Sequence, residues 1–129
     1  KRLMFLENEL ADLHLFKNLT QREYIENRQS KRNVERWVEN IINASLDITK
    51  TLLASRRTQI PETYREILWS LQLVPGFSAK LAKQFAGWAS LRNILSHEYL
   101  DLRWREINGF IRVCEPFMNE FIKGVKGLM

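Results

Sequence analysis

Apolar positions recur at helical spacing along nearly the whole chain. The last segment shows it most fully: Trp104, Ile107, Ile111, Cys114, Met118, Phe121 and Val125 follow one another at alternating steps of three and four, which is a packing seam for a neighbouring helix. Pro116 falls inside this segment, lacks an N–H and clashes with the turn before it, so the pattern predicts a kink near Arg112 or a break into two helices. Leu3, Leu6, Leu10 and Leu13 mark a first helix ending near Asn18, and Thr20-Gln-Arg-Glu23 has the form of a capping box that starts the next. From Lys31 to Ala54 a long helix carries Val34, Val38, Ile41, Ser45, Ile48 and Leu52 on one stripe, with Trp37 and Ala44 beside it and a boundary near Gln29-Ser30. Ile60-Pro61-Glu62 predicts a helix with Pro in its first turn, running through Tyr64 and Leu68 to Gln72 and stopped by Val74-Pro75-Gly76. Ser78 is the expected N-cap of a further helix, whose stripe is Leu81, Phe85, Trp88, position 92 and Leu95. Short connections predict antiparallel neighbours, hence an all-α antiparallel bundle of four to five helices forming a single domain over residues 1–129.

Composition narrows this picture. With 45% apolar residues, the 129-residue chain can bury a core on the order of two thirds of its unfolded surface. Five Gly and three Pro are too few for the tight turns of a sandwich or barrel. The single cysteine, Cys114, excludes an intrachain disulfide and fits a reducing compartment, so a cytoplasmic location is expected. No uncharged apolar run is long enough to span a membrane, so no membrane partner is expected. The net charge of +5, spread over both halves of the chain, is compatible with a polyanionic partner such as RNA and equally with an ordinary solvated surface.

The candidate chemistry lies where the fifth stripe turns polar. Continuing the spacing from Leu81 through Phe85, Trp88 and Leu95 puts Arg92 and Tyr99 in line with core residues. A buried, unpaired guanidinium is strongly unfavourable, so Arg92 is expected to face an acidic partner such as Asp47 on the long helix, a water-filled cleft, or another subunit. His97 follows, with the pKa to move a proton near neutrality. On a straight helix Arg92 and His97 diverge by about 140°. Their convergence requires the arginine to reach around, the helix to end near Ser96, or a second subunit to contribute its copy across a twofold axis.

The segment Leu91-Arg92-Asn93-Ile94-Leu95-Ser96-His97-Glu98-Tyr99 resembles the Arg, four residues, His, one residue, Tyr motif of the HepT-like toxins of the HEPN superfamily. The long helix with Asp47-Ile48, the segment from Pro61 through Tyr64, and the order of elements from Leu81 to Tyr99 extend the resemblance over nearly the whole chain. It implies a homodimer whose two motifs line one cleft, and metal-independent RNA cleavage with Arg92 and His97 catalytic. His97 would move a proton at the ribose 2′-OH or the leaving oxygen, and Arg92 would hold the scissile phosphate. Asn93, matching a position that is commonly polar in the family, would orient a phosphate or His97. The resemblance also implies that a cognate nucleotidyltransferase antitoxin transfers AMP onto Tyr99, silencing the nuclease by adding bulk and negative charge. Glu98 is expected to point outward.

Other residues read more plainly. His14 is expected to be a satisfied or exposed histidine, Cys114 a core residue, and Trp37, Trp69, Trp88 and Trp104 core or dimer contacts. Two His and one Cys offer no metal constellation with diagnostic spacing, and no glycine-rich phosphate loop is present, so neither metal nor cofactor is expected. Arg28, Lys31, Arg32, Arg36, Arg56 and Arg57 flank the long helix as either an RNA track or a solvated face. Two rival functions follow: a non-catalytic HEPN-like module that docks a nucleotidyltransferase and helps bind its substrate, and a purely structural helical dimer.

Overall fold

The computed structural model describes residues 1–129 except Leu95, His97 and Glu98, and gives Asn93 and Ile94 by their backbone alone. Its α-helices are α1 (Arg2–Ala11), α2 (Gln21–Glu26), α3 (Arg28–Ser55), α4 (Tyr64–Trp69), α5 (Ala79–Ala89), α6 (Leu91–Ile94) and α7 (Leu100–Gly127), and no strand occurs among the described residues. Four of these, α1, α3, α5 and α7, form the bundle, and the all-α expectation holds. Short 3-10 turns at Asp12–Leu15 and Ser70–Leu73 extend α1 and α4.

Local capping explains most boundaries. The Thr20 hydroxyl accepts the Glu23 N–H while the Glu23 carboxylate accepts the Thr20 N–H, completing the predicted capping box. Asn27 caps α3 through its side chain, so the break before the long helix falls there rather than at Gln29-Ser30. Thr63, not the Pro61 turn, starts α4: its hydroxyl accepts the Glu66 N–H at 3.1 Å. A capped start satisfies a backbone donor that Pro61 cannot, and this moves the helix three residues later than the proline suggests. Ser78 caps α5 as expected.

Contacts along α7 set the directions. Lys126 pairs with Glu7, Arg112 and Glu115 both meet Lys17, and Asp101 accepts from Gln21, so α7 runs antiparallel to the chain from α1 to α2. Ser78 bonds Glu120 while Trp88 packs on Phe110 and Phe117, so α5 is antiparallel to α7 as well. α3 is antiparallel to α1, with Trp37 Nε1 donating to the Glu9 carbonyl. Phe85, Phe110, Phe121, Ile107 and Met118 are the fully buried centre. The helix passes through Pro116 as one element, so the expected split does not occur. Pro116 lies on the exposed face, whereas Ile111, Cys114, Met118 and Phe121 on either side of it are buried, and that continuous seam outweighs one lost hydrogen bond.

Two stability predictions follow from this packing. A Cβ built on Gly124 lies 2.5 Å from Cε1 of Phe77, a ring packed on Phe121, whereas one on Gly109 meets open space. Gly124→Ala is expected to destabilise by about 1–3 kcal/mol, and Gly109→Ala to stabilise by about 0.5–1 kcal/mol, in denaturant titrations; equal effects of the two would refute the close approach. Cys114 is fully buried, and burial, helped by the Glu115 charge, pushes its thiol up to about 12. The group therefore stays protonated through neutral and mildly alkaline pH. Its reaction with a thiol reagent in the native chain is expected to be about 100-fold or more slower than in the unfolded chain.

Candidate functional site

The motif segment begins where α5 ends. The Ser90 hydroxyl donates to the Gly87 carbonyl at 2.8 Å, and α6 starts afresh at Leu91. The stripe of α5 therefore does not continue in register to Arg92 and Tyr99, as a straight helix would have it. Leu91 is the buried member of the new turn and Arg92 is half-buried. α6 ends at Ile94 and α7 begins at Leu100, so the 100° helical increment does not govern the geometry from Arg92 to Tyr99. His97 and Glu98 lie outside the described residues, and so does the side chain of Asn93, whose backbone belongs to α6.

Among the described residues, Arg92 meets an aromatic ring rather than a carboxylate. Its Cζ stands 4.7 Å from the centroid of Tyr64. Asp47 makes no ion pair with Arg92 and instead lines a groove with Lys1, Arg2, Phe5, Asn40 and Asn43, facing α1. The expected salt bridge is thus replaced by a cation on a π-face. Nε of Arg92 is buried and has no hydrogen-bond partner among the described residues. A second cation, Lys50 of α3, sits with its Nζ 5.8 Å from the same ring.

Tyr64 owes its place to α4, which packs closely on α5: the Thr63 cap starts the helix, and the next residue along, Arg65, reaches the Ala86 carbonyl of α5. The ring is about half exposed and shares a groove with Glu62, Thr63, Arg65, Ala89 and Ser90. The Arg92 guanidinium, as a hydrogen-bond donor toward the phenol oxygen and then as a positive charge, holds the Tyr64 phenol below its ordinary pKa, against the opposing effect of burial and with a smaller contribution from Lys50.

Tyr99 stands at the N-cap of α7 with its side chain 75% exposed, and its carbonyl accepts the Arg103 N–H at 3.1 Å. The helix that carries it is held firmly. Gln21 donates to Asp101 at 3.0 Å, and Nη1 of Arg103 donates to Oε2 of Glu35 at 3.1 Å. The same carboxylate oxygen accepts the hydroxyl of Tyr24, whose phenol is raised well above its ordinary range by burial and by that bond. Sequence reading missed this Tyr24–Glu35–Arg103 group along with Tyr64 and Lys50. Each contact joins residues far apart in the chain, and the one local signal was a charged Lys50 following the apolar run of α3.

The basic residues around α3 do not make one surface. Arg28, Lys31, Arg32 and Arg36 lie at its start and Arg56 and Arg57 just past its end, about 40 Å away along the axis. Arg32 and Arg36 share their groove with Glu35 and Glu39. His14 is exposed, with Nδ1 2.7 Å from the Ala11 carbonyl, as an ordinary surface histidine. No helix among the described residues is long and apolar enough to cross a membrane.

Comparison with known proteins agrees with the motif. The family model described as ribonuclease HepT-like matches residues 6–125. A curated relative, the tRNA nuclease HepT of Aphanizomenon flos-aquae (strain 2012/KM1/D3), is 30% identical over 101 residues, which cover 78% of this chain and 69% of the relative. The matched region takes in all of the bundle from Leu6 of α1 to Val125 of α7, with Tyr64, Arg92 and Tyr99 inside it, and the chain therefore belongs to the HepT-like ribonuclease family.

Proposed function

We propose that this protein is a metal-independent endoribonuclease toxin whose cognate nucleotidyltransferase antitoxin silences it by adenylylating Tyr99. The observation that carries the proposal is Arg92: a half-buried guanidinium in the family motif, with no carboxylate partner among the described residues. Such a group suits a phosphodiester, because its paired N–H donors match two phosphate oxygens and its charge opposes the one that develops in the transition state. His97, taken from the motif, serves as the proton-transfer group. It removes the proton of a ribose 2′-OH, the oxygen attacks the adjacent phosphorus in line, and the 5′-oxygen of the next nucleotide leaves with a proton. The products are a 2′,3′-cyclic phosphate and a free 5′-hydroxyl. Asn93 orients the phosphate or His97, and two copies of the motif share one cleft in a homodimer. The activity in the relative's name makes tRNA the first substrate to try.

Tyr99 suits the silencing role by its exposure at the head of α7. Its phenol oxygen attacks the α-phosphorus of ATP on the partner enzyme, pyrophosphate leaves, and the new phosphodiester places negative charge beside the RNA path.

Incubation of the purified chain with bacterial tRNA in EDTA is expected to yield fragments ending in cyclic phosphate. Arg92→Ala and His97→Ala are each expected to lower the rate by about 10²–10³-fold, and expression of the wild type alone to arrest growth. RNA left equally intact by wild type and variants, with no arrest, would refute the nuclease and favour the module that docks a nucleotidyltransferase. With that enzyme and ATP, the mass of one AMP is expected on Tyr99 and is expected to be lost in Tyr99→Phe; AMP retained by that variant would place the modification elsewhere.

A further inference from the structure

Tyr64 lies outside the family motif, yet its ring stands within reach of two cations, Arg92 of the motif and Lys50 of α3. The ring of Tyr64 lies against the guanidinium, and Lys50 stands near the same ring from α3. Two like charges held beside one aromatic group repel each other, an arrangement that an anion between or beside them relieves. Nothing else among the described contacts orients Arg92: its Nε is buried without a hydrogen-bond partner among the described residues, and Asp47 lines a separate groove facing α1. Among the described residues, Glu62 is the one carboxylate lining the groove beside Tyr64, and it is exposed. A guanidinium held by a phenol ring rather than by a carboxylate keeps its positive charge for a ligand, together with the N–H donors that the phenol oxygen does not use.

We infer that Tyr64 is a positioning residue for Arg92 and that Lys50 completes with Arg92 a two-cation site for the backbone phosphates of RNA, Tyr64 being the platform both share. The inference rests on the nuclease reading of Arg92. The ring restricts the guanidinium to the orientation in which its donors meet the scissile phosphate, so Tyr64 acts on turnover. Lys50 is a solvated point charge on a flexible stem, and it acts on binding of the neighbouring phosphate rather than on the chemical step. The lowered pKa of Tyr64 accords with this contact, since a guanidinium donating toward the phenol oxygen stabilises the phenolate.

The test measures initial rates of cleavage of bacterial tRNA by the full chain against RNA and salt concentration, for wild type, Arg92→Ala, Tyr64→Ala, Tyr64→Phe and Lys50→Ala. Tyr64→Ala is expected to lower kcat about tenfold or more while KM changes less than about threefold, and Tyr64→Phe, which keeps the ring, to restore most of the loss. Lys50→Ala is expected to raise KM several-fold at unchanged kcat and to reduce the salt slope by about 0.7, the share of one phosphate contact on a single strand. A second measurement holds whether or not Tyr64→Ala folds. The phenolate absorbance difference between wild type and Tyr64→Phe gives the Tyr64 midpoint, expected below the ordinary value of about 10 and higher in Arg92→Gln. If wild type cleaves, Arg92→Ala does not, and Tyr64→Ala or Lys50→Ala matches wild type, the inference fails while the nuclease reading stands. A Tyr64 midpoint unmoved by Arg92→Gln overturns it too. If the folded wild type cleaves no RNA, the nuclease reading fails and the inference falls with it.

Discussion

The aromatic seam along α7 is the contact on which the rest of the molecule depends. Phe85 packs on Phe121, Trp88 packs on Phe110 and Phe117, and Trp37 of α3 packs on the other side of Phe110, so one helix is the common wall for α3 and α5. Ring pairs of this kind bury large areas with specific geometry, and they leave α5 little freedom to slide. The end of α5 is thereby fixed. The start of α7 is fixed separately, by Gln21 on Asp101 and by the Glu35 carboxylate shared between Arg103 and Tyr24. The motif thus begins and ends on two firmly packed elements, the kind of support that a precisely placed site draws on.

Two arginines at the edges of that segment show how environment assigns a role. Arg103 is mostly buried and its charge is consumed by Glu35, within a group that also satisfies the hydroxyl of Tyr24. Removing any member would leave a desolvated polar atom behind, so the group holds α7 in place and has little left to offer a ligand. Arg92 has the opposite surroundings. Among the described residues it meets a phenol ring, which does not cancel its charge, and a lysine stands near that same ring. The charge of Arg92 is what the proposed function uses, within a chain of the ribonuclease HepT-like family.

Most of the bundle was legible in the sequence because its determinants are local and periodic. The α7 seam, the Thr20–Glu23 box and the Ser78 cap each act within a few residues, where spacing is a direct physical statement. Errors arose where two local rules competed. Pro61 promised a helix start that Thr63 took, because a hydroxyl acceptor satisfies a backbone donor and a proline merely lacks one. The α5 stripe could not be extended to Tyr99, because α5 ends at Ala89, α6 is a separate short helix and Tyr99 stands exposed at the N-cap of α7. The motif itself was legible as a pattern of residue types. Its surroundings were not, because Tyr64 meets Arg92, and Lys50 the same ring, only through the packing of α3, α4 and α5, and no spacing along the chain encodes that encounter.

The three tyrosines stand in three different environments. Tyr24 is sealed in the core with its hydroxyl committed to Glu35, and its proton is held more tightly than in water. Tyr64 is half exposed, but its phenol is turned to use by Arg92, and modifying it would displace the guanidinium it supports. Tyr99 alone of the three combines wide exposure with a backbone anchored at the head of a long helix. A group added there leaves the core and the Arg92 platform untouched, yet it lies at the end of the same strung segment as the rest of the motif. That separation lets one short stretch of chain hold both the proposed chemistry and the proposed control of it, because the residue to be modified bears no part of the packing that holds the reactive residues in place.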